Sequence, residues 1–286
     1  MKRILTMSIL KSIVLILGIQ TLFGVICHAQ TNFFSNWESR VRATVAKQPG
    51  WVVPVITPTS GIVQLIRPEI ARQYTPTHTL TMNYGNTKGF NFIPFYNTEI
   101  DINLPPYIQH NTPKAADGAG DFSALLKYRI ISGNEKHGNY ALSAQLLGTG
   151  ATGSYSNGTA STTYTPTIVG GKGFGNFDVQ SSIGGLLPTH AVHTIGRTIV
   201  WNTVAQYHVG KYLWPEVEVN SSSYHLGPHD GKNQTFVAPG LMFSKIKFRK
   251  DPKDRLALIF GGAMQIATSH YHAYNHGLVI TSRITF

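Results

Sequence analysis

Apolar and polar residues alternate along most of the chain that follows residue 61. The alternation is clear over residues 121–131, 176–183 and 255–267, where apolar side chains share one face and mostly polar or small ones share the other. A period of two is the pattern of a β-strand with two unlike faces. Clusters of Gly, Asn, Pro and Ser separate about twelve such segments. The predicted strands lie near residues 62–73, 78–84, 90–102, 121–131, 139–148, 160–170, 174–187, 195–208, 211–221, 234–248, 254–267 and 275–286.

The connections between these predicted strands alternate in length. The short ones lie near residues 85–89, 132–138, 171–174, 209–210 and 249–253, and the mostly longer ones near 103–120, 149–159, 188–194, 222–233 and 268–274. Short turns at one end and longer loops at the other are typical of transmembrane barrels. An even number of strands brings both termini to the same end, and closure leaves no unpaired edge in lipid. The fold class predicted for residues 61–286 is therefore all-β, a transmembrane antiparallel β-barrel of about twelve strands.

The last predicted strand ends the chain on an aromatic residue, Phe286. Its apolar side carries Leu278, Ile280 and Ile284, and its polar side carries Arg283. This ending resembles that of bacterial outer-membrane β-barrels, whose assembly machinery reads a C-terminal Phe. Taken alone, the same alternation also fits an edge strand of a soluble β-sandwich.

The N-terminal residues have the pattern of an export signal. Lys2 and Arg3 precede an apolar run over residues 13–26, and Ala29 offers a small residue for cleavage before Gln30. The run is too short to span a bilayer, which needs about 20 residues, although an uncleaved anchor and a lipoprotein signal at the nearby cysteine are the alternatives. We predict a signal peptide over residues 1–29 and outer-membrane localisation in a bacterial cell.

Residues 30–60 are predicted to form a short N-terminal helix followed by an extended segment. Ser35 and Glu38 have the spacing of a capping box, and apolar residues recur at helical intervals over residues 37–47. Pro and Gly residues then interrupt regular structure. Three placements stay open: the helix plugs the barrel lumen, packs at its periplasmic mouth, or belongs to a loosely held extension.

Composition narrows the chemistry that this chain can perform. Cys27 is the only cysteine, so removal of the signal leaves neither a disulfide nor a thiolate nucleophile. Loss of Lys2, Arg3 and Lys11 takes the formal charge from +11 to +8, because 11 − 3 = 8 and no acid is removed. For an exported chain, this basic balance favours anionic lipid headgroups or acidic solutes over nucleic acid. No cofactor is expected.

Four short phrases carry a resemblance to a known family. They are Gly120-Asp121-Phe122-Ser123-Ala124-Leu125-Leu126-Lys127-Tyr128-Arg129, Pro215-Glu216-Val217-Glu218-Val219-Asn220, Ala238-Pro239-Gly240-Leu241 and Asn275-His276-Gly277. Together they resemble the outer-membrane family named for the meta-pathway of phenol degradation (the MetA-pathway family), over about residues 60–286. The resemblance implies a barrel that passes hydrophobic or aromatic compounds. It implies no particular substrate-binding residue.

Charged residues on the polar strand faces are predicted to point into the lumen. They are Lys127, Arg129, Glu216, Glu218, Arg255 and Arg283. One interpretation is a network that braces the barrel wall, and the other is a selectivity filter. If the charges pair across the lumen, free diffusion is hindered; if they stay apart, a polar pore opens.

Histidines are frequent in the predicted outer loops. His225 with His229, and His270 with His272, have spacings that allow a divalent metal to bind, but few carboxylates accompany them. Scattered surface imidazoles are the favoured interpretation, so no metal site is predicted. Ser269 beside His270 also raises the hypothesis of a lipid-modifying enzyme at the rim, but neither a Gly-x-Ser-x-Gly motif nor an orienting acid accompanies it.

The predicted function is passive uptake of a small, hydrophobic or aromatic solute through an outer-membrane channel, without enzymatic activity. Outer loops would gather the solute, the lumen charges would sort it, and its concentration gradient would drive passage. Two alternatives stay open: a structural or adhesive barrel without transport, and the rim-located enzyme. The expected partners are outer-membrane lipids, the barrel-assembly machinery and the solute. The sequence does not set the oligomeric state.

Overall fold

The computed structural model describes residues 33–250 and 255–286. The chain divides into two compact units, residues 1–43 and residues 44–286. The predicted signal peptide, residues 1–29, lies outside the described residues. Among the described residues, no helix is both long enough and apolar enough to cross a membrane.

The described part of helix α1 covers residues 33–45, so the predicted helix is present and includes at least four residues before residue 37, where the sequence pattern begins. Ser35 therefore lies inside the helix and does not cap it. The added turn contains Phe33, whose ring contacts that of Trp37 at 5.8 Å between centroids. Pairs four residues apart on one face stabilise a helix, as does the ion pair between Glu38 and Arg42 at 3.1 Å.

Sixteen β-strands follow among the described residues, with a one-turn helix α2 at Val192–Ile195 and a 3-10 turn at Gly227–His229. The strands are β1 Leu65–Ile66, β2 Glu69–Tyr74, β3 Leu80–Tyr84, β4 Gly89–Phe95, β5 Thr98–Asn103, β6 Tyr107–His110, β7 Gly118–Ala119, β8 Ser123–Gly133, β9 Tyr140–Thr149, β10 Thr163–Phe174, β11 Phe177–Pro188, β12 Arg197–Tyr207, β13 Leu213–His225, β14 Asn233–Lys247, β15 Ala257–Ala267 and β16 His276–Thr285.

The strands form one closed antiparallel barrel. The last strand, β16, pairs with β15 on one side and with both β1 and β2 on the other, which closes the sheet. Each of the first four passages of the chain along the barrel consists of two strands in line: β1 with β2, β3 with β4, β5 with β6, and β7 with β8. The eight later strands each make one passage, so the barrel has twelve passages. The predicted fold class is confirmed.

The second and third passages differ from the prediction. The sequence places a turn between two strands near residues 85–89, whereas β3 and β4 continue the same passage around a local interruption. Gly85, Asn86 and Thr87 all have positive φ there, so the composition typical of a turn produces a bulge inside the wall. The hairpin turn lies at residues 96–97, where Asn97 has a φ of 60°. The third passage therefore extends to His110.

We call the end of the barrel that carries Leu65 and Phe286 the terminal end, and the opposite end the loop end. Connections at the terminal end span residues 96–97, 134–139, 175–176, 208–212 and 248–256. Those at the loop end span residues 75–79, 111–117, 150–162, 189–196, 226–232 and 268–275. The loop end carries the longer connections on the whole, as in transmembrane barrels, whose longer loops face the cell exterior.

The barrel places its apolar side chains outside and its charged side chains inside. On β8, Leu126 and Tyr128 expose 51% and 52% of their surface, whereas Lys127 and Arg129 expose 4% and 2%. In water this arrangement would be strongly unfavourable, because it exposes apolar surface and buries charge. A lipid exterior removes the first penalty, so the side-chain distribution is that of a protein embedded in a bilayer.

Asp121 anchors the longest connection of the loop end to the wall. Its Oδ1 accepts hydrogen bonds from the backbone N–H groups of Thr152 and Gly153, both at 2.8 Å. Its Oδ2 accepts from the backbone N–H of Thr159 at 2.6 Å and from the hydroxyl of that residue at 2.9 Å. Burial alone would raise the pKa of this carboxyl, but these hydrogen bonds outweigh it and lower the pKa.

Replacement Asp121→Asn is expected to release this loop without unfolding the barrel. The amide nitrogen that replaces Oδ2 cannot accept from the Thr159 N–H, and one buried N–H without an acceptor costs about 1–3 kcal/mol. Faster amide hydrogen exchange at Thr159 and Gly153, with an unchanged shift in gel migration on boiling, is the expected result. Because the folded-state pKa is lowered, the wild-type anchor is expected to be lost only as the pH falls through that lowered value. Equal exchange rates in the two proteins would contradict the anchoring role.

Candidate functional site

Residues 44–64, which we call the lumen segment, lie inside the barrel. After the end of α1 this stretch has no regular structure until β1, because Pro49, Pro54 and Pro58 lack a backbone N–H and interrupt regular pairing. Val52 and Val55 are buried in a cluster with apolar side chains of the wall, among them Met242. An extended backbone enclosed in this way must find partners for its N–H and C=O groups. The wall side chains supply them.

Two carboxylates of β13 accept the N–H groups of the segment. Glu216 Oε1 accepts from the backbone N–H of Val55 at 3.1 Å. The two carboxylate oxygens of Glu218 accept from the backbone N–H groups of Ile56 at 2.8 Å and Thr57 at 2.5 Å. Three consecutive backbone donors are therefore satisfied by two acids that point inward from alternate positions of one strand.

Five cations of the wall donate to C=O groups of the segment. Lys245 donates to the C=O of Gly50 at 2.8 Å, and Arg67 donates to that of Val55. Arg283 of β16 donates to the C=O groups of Val53 and Pro54, the latter at 2.6 Å. Its side chain is fully buried. Since hydrogen bonds to charged groups are stronger than those between neutral groups, this guanidinium fixes the bend of the chain at Pro54.

Lys127 and Arg129 act in the same way from β8. The Lys127 ammonium donates to the C=O groups of Thr59 at 3.1 Å and Gly61 at 3.3 Å. The Arg129 guanidinium donates to the C=O of Thr44 at 2.9 Å. The two residues lie two positions apart on β8, so both point inward. Lys127 binds near the C-terminal end of the segment and Arg129 binds its N-terminal end.

Neutral side chains complete the enclosure around Ser60. Gln180 Oε1 of β11 accepts from the backbone N–H of Ser60 at 2.9 Å and from its hydroxyl at 3.1 Å. The Ser143 hydroxyl of β9 donates to the C=O of Ser60 at 2.6 Å. All three side chains are buried. The sequence pattern places Gln180 on a polar strand face but gives no sign of this partner.

The structure answers the question of how the predicted lumen charges are arranged. Lys127, Arg129, Glu216, Glu218 and Arg283 form no ion pair with one another; they bind the lumen segment instead. Their role as a selectivity filter stays a prediction. The sixth residue of the set, Arg255, lies at the terminal end of the barrel.

Arg255 precedes β15 and is half-buried at the terminal end of the barrel. Its backbone C=O accepts from the Thr285 hydroxyl at 2.6 Å. The predicted strand started at residue 254, whereas β15 starts at Ala257, so the expected inward position falls in a turn. Phe286 lies at the same end, with its ring 6.4 Å from that of Phe92, and its recognition during assembly stays a prediction.

Among the described residues, three cavities lie beside the lumen segment, and the largest of them, of about 430 Å³, lies at Ala46 and Lys47. The other two lie near Ile56. The first cavity, one of these two, has a volume of about 170 Å³ and is lined by Ile56, Lys88, Asp101, Leu125, Lys127 and Gln145, among others. The second has a volume of about 200 Å³ and shares Ile56 and Lys88 with the first. Lys88 reaches both because the bulge between β3 and β4 turns it inward. Lys88 was not among the predicted lumen residues, because the sequence pattern places residues 85–89 in a short connection between strands.

The histidines considered as metal ligands have other partners or positions. The ring of His229 packs against Tyr224 and Tyr271, and His272 hydrogen-bonds to the Ser269 backbone C=O and the Asn275 side chain, both at 2.9 Å. His225 ends β13, and His270 lies in the connection 268–275. Within residues 33–250 and 255–286, no group of three or more His, Cys, Asp or Glu residues is arranged to hold a metal ion. The Ser269 hydroxyl donates to the Tyr271 C=O at 2.7 Å, within its own loop.

Comparison with known proteins supports the fold. The chain matches no family model and no curated protein, so the phenol meta-pathway family stays a prediction. Among solved structures, an outer membrane channel from Pseudomonas putida F1 shares 14% identity and a TM-score of 0.51, covering 82% of this chain and 100% of that one. The NanC porin gives 11% identity and 0.49, covering 77% and 98%. A loop L8 deletion mutant of OmpT, an outer membrane protein of Vibrio cholerae, gives 9% identity and 0.34, covering 78% and 97%.

The closed sheet, the apolar exterior and this shared architecture define the class of the protein. It is a β-barrel of the bacterial outer membrane. Within that class, it is a twelve-passage barrel whose lumen is occupied by its own N-terminal segment.

Replacement Glu218→Ala is expected to loosen the lumen segment. Two buried N–H groups, of Ile56 and Thr57, would lose their acceptor, at about 1–3 kcal/mol each. Hydrogen exchange at these two amides should accelerate while the barrel keeps its heat-modifiable gel migration. Val217→Ala is the matched control, because it shortens a neighbouring side chain that faces lipid. If Glu218→Ala and Val217→Ala give the same protection at both amides, the carboxylate does not hold the segment.

Proposed function

We propose that this protein is an outer-membrane channel for passive passage of small solutes, and that displacement of the lumen segment opens it. One observation carries the proposal: five inward charges of the wall, Lys127, Arg129, Glu216, Glu218 and Arg283, bind the backbone of a single continuous segment. The shared fold with an outer membrane channel supports it. The solute would move down its concentration gradient without a cofactor.

The energetics favour a closed resting state that can open. Each wall-to-segment hydrogen bond contributes about 0.5–1.5 kcal/mol net, or about 1.5–3 kcal/mol where one partner is charged. Displacing the segment breaks several of them and exposes Val52 and Val55, but the freed charges then face water, which solvates them. Opening is therefore costly yet leaves no dry, unpaired charge. Such a balance is expected of a gate rather than of a permanent core.

The class of solute is inferred from two sources. The sequence resemblance points to hydrophobic or aromatic compounds. The first cavity agrees with an apolar body, since Leu125, Leu147 and Ile56 form part of its lining. Solute would enter between the long loops, reach this cavity, and pass the segment as it shifts.

A reversible disulfide between segment and wall tests the gate. A Cβ atom added at Gly171 would lie 2.7 Å from the Ser60 hydroxyl oxygen, close enough for cysteines at the two positions to bond. The variant Ser60→Cys with Gly171→Cys is expected to lose solute flux in proteoliposomes when oxidised and to regain it on reduction. The mature chain predicted here brings no cysteine of its own to compete.

The single variants Ser60→Cys and Gly171→Cys are the controls, because each carries its local change in volume without the crosslink. A Cβ atom at residue 171 would lie 2.7 Å from the Trp51 ring, so Gly171→Cys alone also shows whether displacing Trp51 changes the flux. Flux that is equal before and after oxidation, with the disulfide verified by mass spectrometry, would contradict the gate. Absence of flux and conductance in the unmodified protein would instead favour a structural barrel.

A further inference from the structure

The first cavity contains acceptor oxygens that have no donor. Asp101 Oδ1 and Gln145 Oε1 are both buried without a hydrogen-bond partner, and both residues line this cavity. Asp101 exposes only 9% of its surface. A buried acceptor left unpaired costs about 1–3 kcal/mol, so two of them at one cavity point to a bound group that donates hydrogen bonds.

Glu99, the second acid that lines this cavity, already has partners for its carboxylate, whereas Asp101 has an oxygen without one. Glu99, two positions earlier on β5, lies 3.5 Å from the Lys127 ammonium and accepts from Asn91 at 3.2 Å and from the backbone N–H of Val63. Asp101 forms no ion pair with a described residue. Its Oδ1 is thus available to accept a hydrogen bond from a ligand.

The ammonium group of Lys88 is a cation that lines the same cavity. Arg67 is paired with Glu69 at 2.8 Å and Lys127 with Glu99, whereas the Lys88 ammonium has no ion pair among the described residues. The bulge between β3 and β4 holds this side chain against the cavity. The cavity therefore presents the Lys88 ammonium together with two acceptor oxygens that have no donor, Asp101 Oδ1 and Gln145 Oε1.

Apolar side chains line the rest of the space. Leu125 of β8 and Leu147 of β9 face it from the wall, and Ile56 and Val63 face it from the lumen segment. The volume of about 170 Å³ exceeds the share of about five waters, at about 30 Å³ each in the liquid. One small organic molecule fits this space better than a single ion.

We propose that this cavity is a binding site for a small carboxylic acid that has an apolar body and carries a hydroxyl or amino group. The carboxylate pairs with the Lys88 ammonium, the hydroxyl or amino group donates to Asp101 and Gln145, and the apolar body lies against Leu125 and Leu147. The inference deepens the proposed function, on which its physiological meaning rests, by giving the solute a chemical class. Binding itself does not require transport.

Three matched probes test two contacts separately: the carboxylate contact with Lys88, called the carboxylate arm, and the donor contact with Asp101 and Gln145, called the donor arm. Isothermal titration of the full-length mature barrel in detergent is expected to show binding of 4-hydroxybenzoate, with benzoate and phenol each binding at least about tenfold more weakly. A buried polar group left without its partner costs about 1–3 kcal/mol, which corresponds to about that factor or more. Benzoate lacks the donor and phenol lacks the carboxylate. Equal affinity for benzoate would overturn the donor arm, and equal affinity for phenol the carboxylate arm. No binding of any probe would overturn the site.

Variants locate the binding within the barrel. Lys88→Met and Asp101→Asn should each weaken 4-hydroxybenzoate binding at least about tenfold, and Lys88→Met should remove the preference over phenol. Asp178→Asn is the control, because Asp178 is also a buried acid with an unpartnered oxygen but does not line the cavity. Gel migration before and after boiling verifies that each variant is folded. Equal losses in the control and in Asp101→Asn would overturn the assignment.

Flux measurements keep this inference apart from the channel proposal. Probe binding without flux in proteoliposomes would retain the site and reject the channel. Flux of small solutes without saturable binding, unaffected by Lys88→Met, would retain the channel and reject the site.

Discussion

The structure depends on one requirement: an extended backbone inside a barrel must have its polar groups paired. The lumen segment cannot meet it alone, because its prolines exclude regular structure and no neighbouring strand lies beside it. Charged side chains of the wall meet it instead, with carboxylates taking N–H groups and cations taking C=O groups. The dependence runs both ways, since the same charges would be buried and uncompensated if the segment were absent and water did not replace it. Wall and segment therefore stabilise each other.

Much of this architecture was predictable because the bilayer leaves few alternatives. A strand in a closed barrel alternates between lipid and lumen, so the pattern around Leu126, Lys127 and Tyr128 specifies which side chains point inward. The predicted turn near residues 85–89 was wrong, because these residues have the composition of a turn but form a bulge inside one passage. Residues 85–88 contain Gly and Asn with positive φ, yet β4 continues the same passage beyond them, and the true turn at residues 96–97 follows Phe95 with little warning.

The partners of the inward charges could not be predicted from sequence. Lys127 lies more than sixty residues from Thr59 and Gly61, and Glu218 more than one hundred and sixty from Ile56. The segment offers only backbone groups, which every sequence possesses, so no residue type marks it as the partner. The sequence does contain the phrase from Gly120 to Arg129, which marks a strand and its inward charges but not their partners. The structure gives its polar residues distinct tasks: Asp121 anchors a loop, while Lys127 and Arg129 hold the segment.

The order of charges along the segment also fixes its register. Cations take C=O groups at Gly50 and from Val53 to Val55, carboxylates take the N–H groups from Val55 to Thr57, and Lys127 takes C=O groups again at Thr59 and Gly61. Sliding the chain along the wall would bring carbonyl oxygens towards carboxylates and N–H groups towards cations, which is repulsive in a site of low dielectric. A purely apolar lumen would permit many placements of a flexible segment. The charged lumen permits few, so a displaced segment would return to one closed position, as the proposed gate requires.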